Sequence, residues 1–457
     1  MIQAGTPMSA IWDQQCSGCH GANGAGVGGV KSLITRALFD QQFDRPFFDA
    51  VKQGNPCKVP TAVRNGLTDK QIWGQIVHVR ELQGRALRTQ EGSPKPDAGG
   101  VFRSKRASFR VEDVIREGPL KTPWGIDWLP DGTMLVTNRP GSVIAMTNGR
   151  VAPIAGTPTV TELGQGGMMD VAVHPDYSRS GWVYLCYTEP ANGNPGRGMT
   201  KLVRGKLAKS AEGKFAWVNQ QTIWQADPSD YPGGGVHFGS RIVFDKGYVF
   251  LAVGERAQSG RVQDVASPFG KIIRLHDDGR VPTDNPFAGR GGAAGGVWSY
   301  GHRNPQGMAK GLDGRLWITE HMPRGGDEVN EIVRGANYGW PVVSTGINYN
   351  DQADWLPWAG PGQDFRMPIF RWLPSVGTSG LDIVRGKAFP DWQGDLLAGG
   401  LVGNNVDRFR TQDGKLVERE EILHGMGRVR DISVASDGTV YIALNGPDKV
   451  IRLVPAQ

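Results

Sequence analysis

The run Cys16-Ser17-Gly18-Cys19-His20 places two thiols three residues apart, with an imidazole directly after the second. That pattern attaches haem c: the thiols form thioethers to the haem vinyl groups and His20 ligates the iron. Other residues able to do chemistry lie far downstream. His237 stands in Gly233-Gly234-Gly235-Val236-His237, Arg303-Asn304 follow Gly301-His302, and Arg428 and Arg430 are two apart. On a strand, residues two apart share a face, so the arginine pair suits bidentate recognition of carboxylates. An isolated loop histidine or a surface arginine pair more often meets only solvent, so the surrounding motifs must decide.

At 457 residues the chain is too long for one ordinary core and implies two or more domains, or a large repeat. Its 66 Gly, 30 Pro and 14 Trp favour many short strands joined by tight turns. The net charge of +6 comes from 51 basic residues scattered among 45 acidic ones. Without a basic block, this reads as a solvated surface rather than a nucleic-acid interface. Cys57 and Cys186, one in each module, read as free or buried thiols rather than a disulfide. No apolar run approaches the roughly 18 residues of a transmembrane helix. Residues 1–5 have neither a basic start nor an apolar run, while haem c is attached outside the cytoplasm. The expectation is a mature periplasmic chain, its signal peptide removed and an initiator Met added.

The elements that must position these residues divide in two. Helices are predicted over 7–19 and 69–82, the second with Ile72, Trp73, Ile76, Val77 and Val79 about one turn apart and Thr68-Asp69 as its start. They suit a small all-α cytochrome c domain over 1–92. Residues 93–108 have no apolar period and read as a linker. Over 109–457 a strand, turn and strand unit recurs, beginning near Trp124, Met169, Ser240, Gln306, Leu381 and Asp431. Several copies turn on Asp-Gly, as at Asp131-Gly132, Asp313-Gly314 and Asp437-Gly438, a hairpin signature. Six copies predict a mainly β fold, a six-bladed β-propeller preceded by the cytochrome domain, with a sandwich pair as the alternative.

Four ordered motifs give the propeller a specific resemblance: Gly164-Gln165-Gly166-Gly167-Met168, Gly301-His302-Arg303-Asn304-Pro305-Gln306-Gly307, Asn337-Tyr338-Gly339-Trp340-Pro341 and Arg428-Val429-Arg430-Asp431. Together they resemble the soluble PQQ-dependent glucose and aldose sugar dehydrogenases. The resemblance implies that Arg428 and Arg430 bind PQQ, and that His237 accepts the proton of the sugar C1 hydroxyl while hydride leaves C1 for the quinone. It places Arg303 and Asn304 beside the quinone oxygen, where negative charge develops. Gln165 would orient cofactor and substrate, and Trp372 would stand at the substrate mouth. The backbone carbonyls of Met322 and Pro323 would ligate the calcium that also meets PQQ, with Glu328 and Tyr338 at a second calcium. His321 has no Cys or His neighbours in sequence and is not taken as a transition-metal ligand.

The chain departs from this pattern at three places. Val402 stands where the glucose enzymes carry a PQQ-binding Lys, and Val236 where they place an Asp before the base. In the cytochrome region Val59-Pro60 replaces the usual Met before Pro, so the sixth iron position is open, water-bound, or filled by Cys57 or His78, with packing the better reading for His78. The expected function is a quinohaemoprotein that oxidises an aldose at C1 to a lactone and passes electrons to haem c, then to an external acceptor. Alternatives are a PQQ enzyme for another alcohol or a sugar aldehyde, or a non-catalytic electron-transfer or binding propeller.

Overall fold

The computed structural model describes residues 3, 5–54, 60–192 and 194–456. Cys57 and Val59, which bear on the sixth iron position, lie outside them. The N-terminal region is helical: α1 (Met8–Ile11), a wider π turn (Trp12–Cys16), α2 (Ser17–His20), α3 (Asp44–Gln53), α4 (Thr61–Gly66) and α5 (Asp69–Glu91). The expected helix over 7–19 is therefore continuous but loosened where the haem motif begins, and such turns often mark functional sites. Helix α5 opens with a reciprocal capping box between Thr68 and Gln71. It runs past the expected residue 82 because Leu87 continues the buried stripe.

The remainder is a ring of six antiparallel sheets. Blades 1 to 5 are four-stranded, and their innermost strands are Pro123–Trp128, Met168–Val173, Gly239–Asp245, Pro305–Lys310 and Thr378–Ile383. Each of the six sequence repeats is the inner hairpin of one blade. The Asp-Gly turns behave as their chemistry requires: Asp131, Asp313 and Asp437 each accept the N–H two residues on, and the glycines that follow have positive φ.

Blade 6 closes the ring. Its inner strands, Arg428–Val434, Val440–Asn445 and Lys449–Pro455, are joined by Ser108–Ile115 and then Phe102–Arg103 from the other end of the propeller sequence. This corrects the expected linker, whose C-terminal part belongs to the propeller. Phe102 is buried and stacks on Phe109 at 5.4 Å, so apolar burial recruits the segment into the sheet.

Carboxylates staple the blades together. Asp127, Asp170, Asp382 and Asp431 accept the N–H groups of Val173, Ile242, Val434 and Ile126, each on the next blade. The Asp431 bond joins the last blade to the first. Near the start of every innermost strand the register with its neighbour shifts once. Such bulges re-aim side chains at a sheet rim, and all six lie at the same end of the ring axis.

The N-terminal domain is docked firmly on the propeller. Met8, Ile72, Trp73, Ile76 and Val77 share one apolar cluster with Ile347 and Leu373. The Trp73 indole donates to the carbonyl of Thr345 at 3.1 Å. Buried Asp44 receives both Arg80 of its own domain and Arg371 of blade 4. Among the described residues no helix is long and apolar enough to cross a membrane.

Candidate active site

A pocket of about 370 Å³ opens at the bulged end of the propeller, lined by Gln165, Gln306, His321, Met322, Pro323, Val402, Arg428 and Arg430 among others. Five residues expected at the site therefore meet in one cavity: Gln165, Met322, Pro323, Arg428 and Arg430. The pocket holds an anion-binding wall. Burial, and then the neighbouring cations Arg428, Arg139 and Arg241, bring the Arg430 guanidinium down to about 10. Its buried Nε has no partner among the described residues. Arg430 thus remains charged at neutral pH with an unused donor, which fits a planar polycarboxylate such as PQQ.

Arg241 supports this wall from below. Its Nη2 donates to the carbonyl of Arg430 at 2.8 Å, while Nη1 bridges Asp170 at 3.2 Å and Asp431 at 2.7 Å. Its guanidinium lies 4.2 Å from the Trp124 ring centroid. The two stapling carboxylates therefore also anchor the floor of the pocket.

His237 sits beside Gln165, which accepts its backbone N–H at 2.9 Å. The residue has φ of 55°, a left-handed conformation that costs energy outside glycine. It is held by Gly254: a Cβ there would lie 2.0 Å from the His237 carbonyl oxygen. The His237 Nδ1 meets a carboxylate oxygen of Glu255, and Nε2 has no partner among the described residues. Burial lowers the pKa of the ring below its ordinary value, and Glu255 opposes that shift in part. A neutral imidazole held by a carboxylate is the arrangement of a positioned general base.

Glu255 and Arg256 were not legible as site residues. Arg256 is fully buried, donates to the carbonyls of Val236, Gly234 and Gly198, and lies 3.6 Å from the Phe238 ring centroid. It thereby shapes the glycine-rich loop before His237. The available signal was a Gly-Glu-Arg run directly after a strand end.

Arg303 and Asn304 are buried on the next blade. Asn304 Oδ1 accepts from Gly239 N and Gln306 Nε2, each at 3.1 Å. The Arg303 Nη1 donates to the carbonyls of His321 at 3.2 Å and Met322 at 3.0 Å. Arg303 therefore holds the loop expected to bind calcium. Its Nε is buried and unpartnered among the described residues. Met322, Pro323 and Asp327 line the cavity, and Asp327 accepts from Met322 N at 3.3 Å. These hard oxygen donors suit calcium.

Glu328 lies deeper, where Asn330 Nδ2 donates at 3.0 Å both to it and to Glu320. Burial and then the Glu320 charge push its carboxyl up to about 8. The Asn330 Oδ1 is left without a partner among the described residues. Tyr338 packs its ring on His302 at 4.5 Å, but its hydroxyl donates to the Glu331 carbonyl and accepts from Val333 N. The hydroxyl is thus committed to the backbone and is not a ligand for a cation beside Glu328.

Trp372 is a correction. It is 2 % exposed, packs with Phe370 and Phe409, and donates its indole N–H to Asp407 at 2.6 Å. It borders a separate groove between the domains rather than the axial pocket. Packing, not sugar contact, explains it. His321 Nε2 meets the Thr378 carbonyl, and burial lowers its pKa to about 4; among the described residues it joins no group of metal-ligating side chains.

The haem motif is arranged for covalent attachment. Cys16 and Cys19 are free thiols, Cys19 exposed, beside an apolar cluster of Trp12, Val79, Leu82, Leu33 and Ile34. His20 Nδ1 is buried and unpartnered among the described residues. The Trp12 ring packs against His20 at 6.1 Å and His78 at 5.4 Å. The apolar wall and unused imidazole fit a haem ligated by His20; His78 Nδ1, on the other contact of the Trp12 ring, is likewise buried without a partner among the described residues.

A six-bladed ring with an arginine-walled axial pocket and a carboxylate-held histidine, preceded by a haem-attachment domain, is the build of a sugar-oxidising quinoprotein joined to a cytochrome. The chain belongs to the glucose/sorbosone dehydrogenase family, whose model matches residues 120–452. Residues 3–79 match the family of cytochrome c oxidase, cbb3-type, subunit III. The chain is similar to the aldose sugar dehydrogenase YliI of Escherichia coli, with 38 % identity over 346 residues covering 74 % of this chain and 90 % of the relative. The crystal structure of the soluble E. coli aldose sugar dehydrogenase in its apo form superposes with a TM-score of 0.70 at 35 % identity, covering 76 % of this chain and all of that one. The PQQ-bound aldose sugar dehydrogenase of Streptomyces coelicolor gives 0.61 at 25 % identity, covering 77 % of this chain and 99 % of that one. The protein is an oxidoreductase of the sugar dehydrogenase type, with a cytochrome domain on the same chain.

Proposed function

We propose that this protein oxidises the C1 hydroxyl of an aldose to a lactone with PQQ and calcium in the propeller, and passes the electrons through haem c on the same chain to an external acceptor. The reading is that of a periplasmic enzyme, because haem c is attached outside the cytoplasm. The observation that carries it is the unused, charged Nε donor of Arg430 in a cavity also lined by Gln165, which accepts the backbone N–H of the carboxylate-held His237. Similarity to a PQQ-bound aldose sugar dehydrogenase supports the cofactor.

Bound PQQ supplies a two-electron acceptor, calcium a Lewis acid beside it, and haem c a one-electron outlet. His237 Nε2 takes the proton of the sugar hydroxyl, and Glu255 keeps the ring in the Nδ1–H tautomer and balances the imidazolium formed. Arg428 and Arg430 would hold carboxylates of the cofactor, Gln165 would hydrogen-bond cofactor or substrate, and Met322 and Pro323 would offer carbonyls to calcium. Arg303, fixed by two backbone carbonyls, provides positive charge that needs no reorganisation during reaction.

The test is to load the full chain with PQQ and calcium, supply aldoses and assay lactone. Lactone formation that requires PQQ is expected. PQQ binding without oxidation of any aldose would contradict the proposal.

A further inference from the structure

The pocket lining includes one residue from outside the propeller, Glu81 of helix α5. Its carboxylate takes Arg324 in a bidentate pair, Nε to Oε1 at 2.8 Å and Nη2 to Oε2 at 2.6 Å. Arg324 directly follows Pro323 and also reaches Asp351 through Nη1 at 2.7 Å. Asp351 in turn accepts from the backbone N–H of Ser9 at 2.9 Å. The helix is pressed onto this loop: a Cβ at Gly325 would lie 3.0 Å from Val77 Cγ1, and one at Gly74 would lie 2.9 Å from the Cβ of Ala353. Tyr349 and Val402, 69 % and 68 % exposed, line the same pocket.

The wall formed by Glu81 precedes the segment that matches the sugar dehydrogenase family, which begins at residue 120. The apo E. coli structure is covered in full by 76 % of this chain, which leaves the rest of this chain unmatched there. Buried apolar contacts and a charge-assisted bidentate pair make the wall a fixed boundary rather than a mobile flap.

We propose that helix α5, through Glu81 held by Arg324, is a size-selecting wall of the sugar site, so that the cytochrome domain restricts the enzyme to monosaccharides. This rests on the function proposed above. A second sugar ring attached to an aldose in this pocket would have to be accommodated beside Glu81 and Tyr349, which both line it. Steric exclusion at such a boundary acts on kcat/KM of the longer substrate and leaves the shorter one unchanged.

The test compares glucose with maltose, using the full chain loaded with PQQ and calcium and a soluble dye as acceptor. The wild type is expected to prefer glucose by about tenfold or more in kcat/KM. Glu81→Ala should raise the maltose-to-glucose ratio severalfold, Glu81→Gln should leave it near wild type, and Tyr349→Ala, at an exposed position, should raise it without risk to the fold. A ratio unchanged in both alanine variants, or a wild type equally active on both sugars, would overturn the wall while leaving sugar oxidation standing. Failure of the wild type on every aldose would overturn both.

Discussion

The imidazole of His237 turns its Nδ1 onto the carboxylate of Glu255, two residues beyond the second strand of the same blade, and leaves Nε2 without a protein partner among the described residues. One atom of the ring is thus held by a carboxylate, and in the proposed reaction the other would take the proton. Replacing His237 with Ala should lower kcat by about 10²–10⁴ while PQQ still binds. Titration of PQQ into the variant, followed by turnover, checks both halves. Near wild-type turnover would remove His237 from the role of base.

The pair also predicts a pH profile. Burial holds the His237 pKa below 6.5, so the neutral base should persist into mildly acidic solution and activity should fall only below that value. Glu255 raises this pKa by stabilising the imidazolium. Glu255→Gln should therefore move the acidic limb of kcat/KM to lower pH, and it should also reduce kcat because the tautomer is less firmly held. A limb that stays in place, or moves upward, would contradict the assignment.

Arg430 offers a buried, unused donor to the cofactor. Arg430→Met keeps the length and removes the charge, and should weaken PQQ binding about 10- to 100-fold, the worth of one charge-assisted hydrogen bond. Calorimetric titration of the two proteins with PQQ measures it. Unchanged affinity would place the carboxylates elsewhere.

Asp431 joins the last blade to the first and carries Arg241. Asp431→Ala leaves a buried N–H and a buried cation short of a partner, and should cost about 3 kcal/mol. A lower thermal midpoint of the propeller transition is expected. In contrast, Asp437→Ala, at an exposed turn, should shift it little.

The inner hairpins were readable because Asp-Gly turns and apolar alternation are local signals, and all six became blade cores. The outer strands and the closure of blade 6 were not, since Ser108–Ile115 pairs with a segment near the C-terminus. Among site residues, Gln165, Arg428 and Arg430 stood in motifs and the fold brings them into one cavity. Glu255 looked like any loop carboxylate until the strand end placed it under His237. No sequence motif marks Glu81, and only the docking of α5 puts it at the pocket. Trp372 next to Leu373-Pro374 resembled a mouth aromatic, but its indole finds Asp407 on the neighbouring blade.

The central claim is that sugar oxidation in the propeller feeds the haem held by Cys16, Cys19 and His20. Rapid mixing of the full chain, loaded with PQQ and calcium and carrying oxidised haem, with an aldose tests it most directly. Reduction of the haem spectrum at a rate independent of protein concentration is expected, and so is loss of that reduction in His237→Ala. Lactone formation with the haem left oxidised, or haem reduction whose rate rises with protein concentration, would contradict it.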